Sequence, residues 1–250
     1  MTDSDTSSRP SNQWYDIWVQ FRSHKGALLG GIVFILIVAT VSLGPLLWPY
    51  DATYIDIRAR NQSPNWAHPF GTDQLGRDTL ARMMAGGQTS IAVGLTAMLL
   101  ALVLGSFIGV LAGFFKRLDN LLMRMTDLFL ALPLLPILLV MMLLFREVLN
   151  NAFGPEKGIF ILITVSIGIT SWMPTARIVR GDVLALKERE FVLAARSIGT
   201  TNTRLILRHI LPNVMSPIMV SATLGIANAI ITESALSFLG LGFPPDFPTW

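Results

Sequence analysis

The 250 residues are 52% hydrophobic and only 14% charged, with a formal net charge of +3 and no cysteine. An ordinary soluble domain carries about a quarter charged residues, so this composition argues against one, and the small positive excess does not mark a nucleic-acid binder. The absence of thiols excludes disulfides, thiolate metal sites and cysteine nucleophiles.

Met1 to Asn12 is polar and rich in Ser, Thr and Asp, which predicts disorder. Trp14, Ile17, Trp18 and Phe21 then recur at helical spacing beside Arg22 and Lys25. That is the pattern of an interfacial helix, completing a cytoplasmic segment over 1–26. The apolar block 27–48 is too long for the core of a signal peptide and has no small-residue cleavage site after it. It reads as a first membrane anchor, followed by an external loop over 49–89.

The remainder, 90–250, predicts four more spans at about 90–115, 125–145, 158–179 and 214–231. About 20 residues at ~1.5 Å each cross a hydrocarbon core of about 30 Å. The fold class expected is therefore an all-α integral membrane protein, a polytopic helical bundle with five visible spans. Pro133 and Pro136 in the third span and Pro174 in the fourth predict kinks. Gly105, Gly109 and Gly113 place a small residue on successive turns of one face, suited to close helix packing. Met141 and Met142 read as packing residues.

Orientation follows from the basic residues. Thirteen of the 19 precede the first span, lie between the second and third, or surround the loop 181–213. The N-terminus and that loop are then cytoplasmic, and five spans place the run Pro244 to Trp250 outside. So abrupt a stop predicts that the chain is incomplete at its C-terminus.

Loop 181–213 carries the strongest functional signal. Phe191, Ala194, Ala195 and Ile198 fall at i, i+3, i+4 and i+7, the stripe of a short amphipathic helix. Gly199 supplies a left-handed stop. A second short helix, from about Thr201 to Ile210, leads to Pro212 and the last span. Small central alanines admit a partner surface close to the helix backbone, which a docking helix needs and a solvated loop does not.

The stretch Glu190-Phe191-Val192-Leu193-Ala194-Ala195-Arg196-Ser197-Ile198-Gly199, followed by His209-Ile210-Leu211-Pro212, resembles the Glu-Ala-Ala loop of binding-protein-dependent ABC importers. Ala194, Ala195, Gly199, Leu211 and Pro212 match that pattern in register. Leu193 stands in place of the Glu, with Glu190 three positions earlier, and His209 in place of an Ile. His68 to Asp78 and Glu233 to Gly242 resemble two further signatures of the peptide and nickel branch, specifically its C-type permease.

The resemblance implies a type I importer permease with six spans in the family, residing in the bacterial inner membrane. It implies half of a translocation pore, a second permease subunit, ATP-binding subunits that use the ATP, and an extracytoplasmic solute-binding protein. The ATPase-coupling residues it implies are Glu190, Phe191, Ala194, Ala195, Ile198, Gly199, Leu211 and Pro212. No cofactor is expected on this chain, and membrane lipid is its surrounding medium.

Asn228 and Glu233 are candidates for a pore or gate. An acid at a span end is costly unless it faces water or a partner, but Glu233 also fits a cap contacting Ser234 or another subunit. Asp127 is expected to pair with Arg124. The segment Gly71 to Asp78 reads as a bracing turn in preference to an anion or metal site. His24, His68 and His209 lack ligand partners at i+3 or i+4, so no metal site is expected. There is no phosphate loop, His-Glu-x-x-His helix or Gly-x-Ser-x-Gly elbow, so no enzyme is expected. An ion-coupled secondary transporter is the alternative function, although internal repeats and mid-span charges are not evident.

Overall fold

The computed structural model describes residues 22–244 and 246–250. The stripe from Trp14 to Phe21 lies outside them. Every secondary-structure element among the described residues is helical, apart from one isolated antiparallel bridge, Thr72 to Asp78. The chain divides into two compact units, 1–84 and 85–250.

In the first unit, α1 (Lys25–Leu47) is apolar on every side and almost wholly exposed. Leu29, Ile35 and Leu46 expose 65%, 66% and 80% of their surface. A helix with no polar face that is not packed into protein requires lipid around it. The loop after it is held by side-chain carboxylates. Asp56 accepts from the main-chain N–H of Arg58 at the start of a 3-10 turn, Ile57–Ala59. Asp73 accepts from the N–H groups of Leu75 and Arg77 and from the Arg77 guanidinium. Asp78, only 2% exposed, accepts from Ala81 N–H at 2.7 Å and from the Trp48 indole at 3.2 Å, and meets His68 Nδ1 at 2.7 Å. Gly71 and Gly76 take φ values of +70° and +78°. These bonds fit a bracing turn; among the described residues no three potential metal-ligating side chains cluster.

From Thr79 the chain forms α2 (Thr79–Phe114), which starts eleven residues before the expected second span. Then come α3 (Lys116–Ala131), α4 (Leu134–Phe153), α5 (Pro155–Thr170) and α6 (Met173–Leu186). The short α7 (Glu190–Ser197) and α8 (Asn202–Leu205) lead through a π-helical turn, Ile206–Ile210, into α9 (Leu211–Phe238). Among the described residues four helices are long and apolar enough to cross a bilayer, and α5 with α6, bent by 41° at their break, passes the same test as a pair and makes a fifth when counted as one span.

Three expected boundaries are corrected. The third span begins at Leu134, not near Met125, because Pro133 cannot continue a helix and holds Leu132 extended (φ −80°, ψ 137°). The amphipathic α3 before it is a separate helix. The fourth span runs to Leu186 but breaks at Ser171–Trp172, with Pro174 in the first turn of α6. The fifth is far longer than 214–231: Asn202 to Phe238 reads as one 37-residue helix. Pro212 has no N–H to offer Arg208, and the π turn absorbs the mismatch, with Leu211 N–H donating to the Ile206 carbonyl.

The glycine ladder is where α2 meets α6. A Cβ on Gly105 would lie 2.6 Å from the Trp172 carbonyl, one on Gly109 2.6 Å from that of Ala176, and one on Gly113 2.7 Å from Val183 Cβ. The backbones approach so closely that only glycine fits. A second core joins α4 and α5, where Leu138, Met142, Ile159, Ile163 and Ile167 are buried against Val93 and Ala97 of α2.

Candidate functional site

The site is built around α7. Arg189 enters it in extended conformation, and Glu190 sits in its first turn, where a negative charge suits the helix dipole. The helix ends in a Schellman motif: Thr200 N–H donates to the Ala195 carbonyl at 3.2 Å and Gly199 N–H to that of Arg196 at 3.0 Å. Gly199 has φ +83°, and a Cβ there would meet nothing within 4 Å. Its requirement is conformational, not steric.

The two faces of α7 do different things. Val192 and Ala195 are buried in a core with Val110, Val179, Val183, Leu205, Ile210 and Val214. Phe191, Ala194 and Ile198 point away from that core; Phe191 is 44% and Ile198 84% exposed. The apolar stripe read from the sequence is therefore split. Ala195 belongs to the internal face, so the expectation that both central alanines are open to a partner is corrected. Its cause is that Val192, one turn earlier, pairs with Ala195 against the chain's own core. Leu211 is half-buried and Pro212 exposed at the start of α9, while Phe191 lies beside His209 with ring centroids 6.5 Å apart.

Sequence reasoning missed the contacts that anchor this loop. Lys187 Nζ donates to the Gly113 carbonyl at the C-terminal end of α2, 3.2 Å away. The Arg196 guanidinium lies 5.8 Å over the ring of Phe114. Arg180 grips Asp119 of α3 through Nε and a second guanidinium nitrogen, the latter at 2.7 Å. Arg180's hydrogen bond is the main cause holding the Asp119 carboxyl below the usual carboxylate range, against the opposing effect of burial, with help from the charges of Arg180 and Lys187. Asp127 pairs with Arg177 and not with Arg124 as expected. A partner 50 residues away on α6 was invisible to local spacing.

At the other end of α9, Glu233 is fully buried. One carboxylate oxygen accepts from Ser90 at 3.0 Å and the other from Ser237 at 2.8 Å. The carboxylate is enclosed by serines of its own chain, a contact that fits a cap at the end of the helix. Ser90 Oγ in turn accepts from Trp250 N–H at 3.1 Å, and Ser234 donates to the Trp250 carbonyl. Gly240, at φ +76°, turns the chain back for this contact. Asn228 is exposed on α9.

Residues 101–246, which include α7 and both glycine stops, match the family model described as the binding-protein-dependent transport system inner membrane component. The chain belongs to that family. Residues 12–64 match the N-terminal transmembrane domain of oligopeptide transport permease C. The oligopeptide transport system permease protein OppC of Bacillus subtilis (strain 168) is 38% identical over 246 residues, 98% of this chain and 77% of that protein. The dipeptide transport system permease protein DppC of the same organism is 35% identical over 250 residues, 99% of this chain and 75% of its own length. This family member is thus the membrane permease of an ABC importer, an all-α multi-pass inner-membrane component, and not an ion-coupled transporter or an enzyme.

Proposed function

We propose that this permease forms half of the translocation pore of an ATP-driven peptide importer and receives its driving force through the outer face of α7. The observation that carries this reading is the division of α7. Val192 and Ala195 cement it to the chain, while Phe191, Ala194 and Ile198, with Glu190 beside them, stay open for an ATP-binding subunit. An exposed apolar face on a short helix with a fixed end is what a docking cleft recognises. Gly199, Leu211 and Pro212 set the course of the chain behind it.

In this reading a second permease subunit completes the pore, and Asn228 faces the path. A solute-binding protein delivers cargo on the side of the loop 49–78, and the N-terminus lies with α7 in the cytoplasm. Peptides are the proposed cargo because the relatives above are named for oligopeptides and dipeptides; a nickel complex has no such support. Closure of the ATPases carries α7 with them, and the anchors at Gly113, Phe114 and Asp119 pass the movement to the spans.

The test is a pair of substitutions in the complete transporter. Ala194→Asp alters only the exposed face and should abolish co-purification of the ATPase while membrane levels hold. Ala195→Asp places a charge in the chain's own core and should lower membrane levels instead. Normal ATPase capture and peptide uptake by Ala194→Asp would overturn the docking proposal.

A further inference from the structure

Beside the last turns of α2 lies an apolar groove of about 450 Å³. Phe107, Val110 and Leu111 form one wall, and Ile206, Leu207 and Leu211 the other; no charged side chain lines it. From Ser106 to Phe115 its wall rises about 14 Å at ~1.5 Å per residue, close to the depth of one leaflet of a hydrocarbon core about 30 Å thick.

The residues that adjoin the walls in sequence are the opposite of the interior. Lys116 and Arg117 follow directly on the wall residue Phe115. Arg204 and Arg208 sit one turn apart, each next in sequence to the wall residues Thr203 and Leu207. All four are exposed, and none has a carboxylate partner among the described residues. The nearby Asp119 and Asp127 are already engaged by Arg180 and Arg177.

We infer that this groove is a binding site for an anionic phospholipid, with an acyl chain along α2 and the phosphate among Lys116, Arg117, Arg204 and Arg208. Their charge decides the occupant. An apolar protein helix laid in the groove would bring no charge to these four cations, whereas an anionic headgroup sets a negative charge among them and lowers their mutual repulsion. Basic clusters at the end of a span are attracted to anionic headgroups for this reason. The inference does not depend on the nature of the transported solute.

Native mass spectrometry of the detergent-solubilised transporter tests it, with phosphatidylglycerol and phosphatidylcholine of identical acyl chains as probes. Phosphatidylglycerol should bind at least about tenfold more tightly. The double variant Arg204→Gln/Arg208→Gln should weaken phosphatidylglycerol about thirtyfold, from the usual worth of a basic residue near an anionic surface, and leave phosphatidylcholine unchanged. Ser106→Trp, which fills the groove, should reduce both. Equal binding of the two lipids by the unmodified protein would overturn the site. So would undiminished phosphatidylglycerol binding in the double variant. A photocross-linker at Leu207 should capture lipid, and capture of the second permease subunit instead assigns the groove to protein.

Discussion

Lys187 donates its ammonium to the main-chain carbonyl of Gly113, 3.2 Å away, and so joins the end of α6 to the end of α2. The carbonyls in the last turn of a helix have no internal partner, and a cation there is worth about 0.3–1 kcal/mol. Lys187→Met should therefore cost little stability. Its larger expected effect is on coupling: ATP hydrolysed per peptide imported should rise, while Lys187→Arg stays near the original ratio. An unchanged ratio for Lys187→Met in reconstituted vesicles would show that this anchor carries no movement.

Gly199 gives a test of backbone conformation alone, since its Cβ position is open. Gly199→Val forces a β-branched residue to φ +83° and should cost about 1 kcal/mol or more. Gly199→Asn should be much milder, because asparagine tolerates the left-handed region. The expected order in peptide uptake is glycine, then asparagine, then valine. An equal loss for asparagine and valine would point to a contact instead of a conformation.

How much of this was legible in the chain depends on distance along it. The spans, the glycine ladder and the left-handed stop at Gly199 follow from local apolarity, spacing and residue type. The separation of α3 from α4 was missed because hydropathy runs smoothly across Ala131 and Leu132, and only Pro133 marks the break. The inward turn of Ala195 was missed because α7 has two apolar faces, and a periodicity cannot say which one meets the protein. Arg180 with Asp119 and Arg177 with Asp127 join distant segments, which spacing rules cannot see.

Gly109 tests the contact between α2 and α6. Gly109→Leu would drive a side chain into the Ala176 carbonyl and Val179, and overpacking of this kind costs about 1–3 kcal/mol or more. Membrane levels and the melting temperature of the purified complex should both fall, with Gly109→Ala intermediate. Gly26, whose Cβ position is open, serves as the control.

The pH response of the Asp119–Arg180 pair has a defined sign. The folded state holds the Asp119 carboxyl below the usual carboxylate range, so its contribution is fully present above the unfolded value. It is lost only as pH falls through the lower, folded value. Thermal stability of the complex should consequently show no Asp119-dependent change near neutrality. In strong acid, the difference between the parent and Asp119→Asn should shrink.

Glu233 is held by two serines of its own chain. Glu233→Gln keeps a hydrogen-bonding side chain of the same shape and should be tolerated. Glu233→Leu leaves Ser90 and Ser237 without that acceptor and should cost about 1–3 kcal/mol. Comparable melting temperatures for the two variants would remove this carboxylate from the structural account.

The continuity of the helix from Asn202 to Phe238 has a mechanical consequence. At ~1.5 Å per residue it spans about 55 Å from the loop that carries α7 to the segment that returns to Ser90, with the π turn Ile206–Ile210 and Pro217 along its length. A rotation of about 10° around its midpoint would swing each tip by about 5 Å on that length. Under the docking proposed above, a small displacement at the Asn202 end is expressed at the Phe238 end in the same motion, with the fulcrum near Val220. The stiffer the helix is there, the more of a displacement at one end reaches the other.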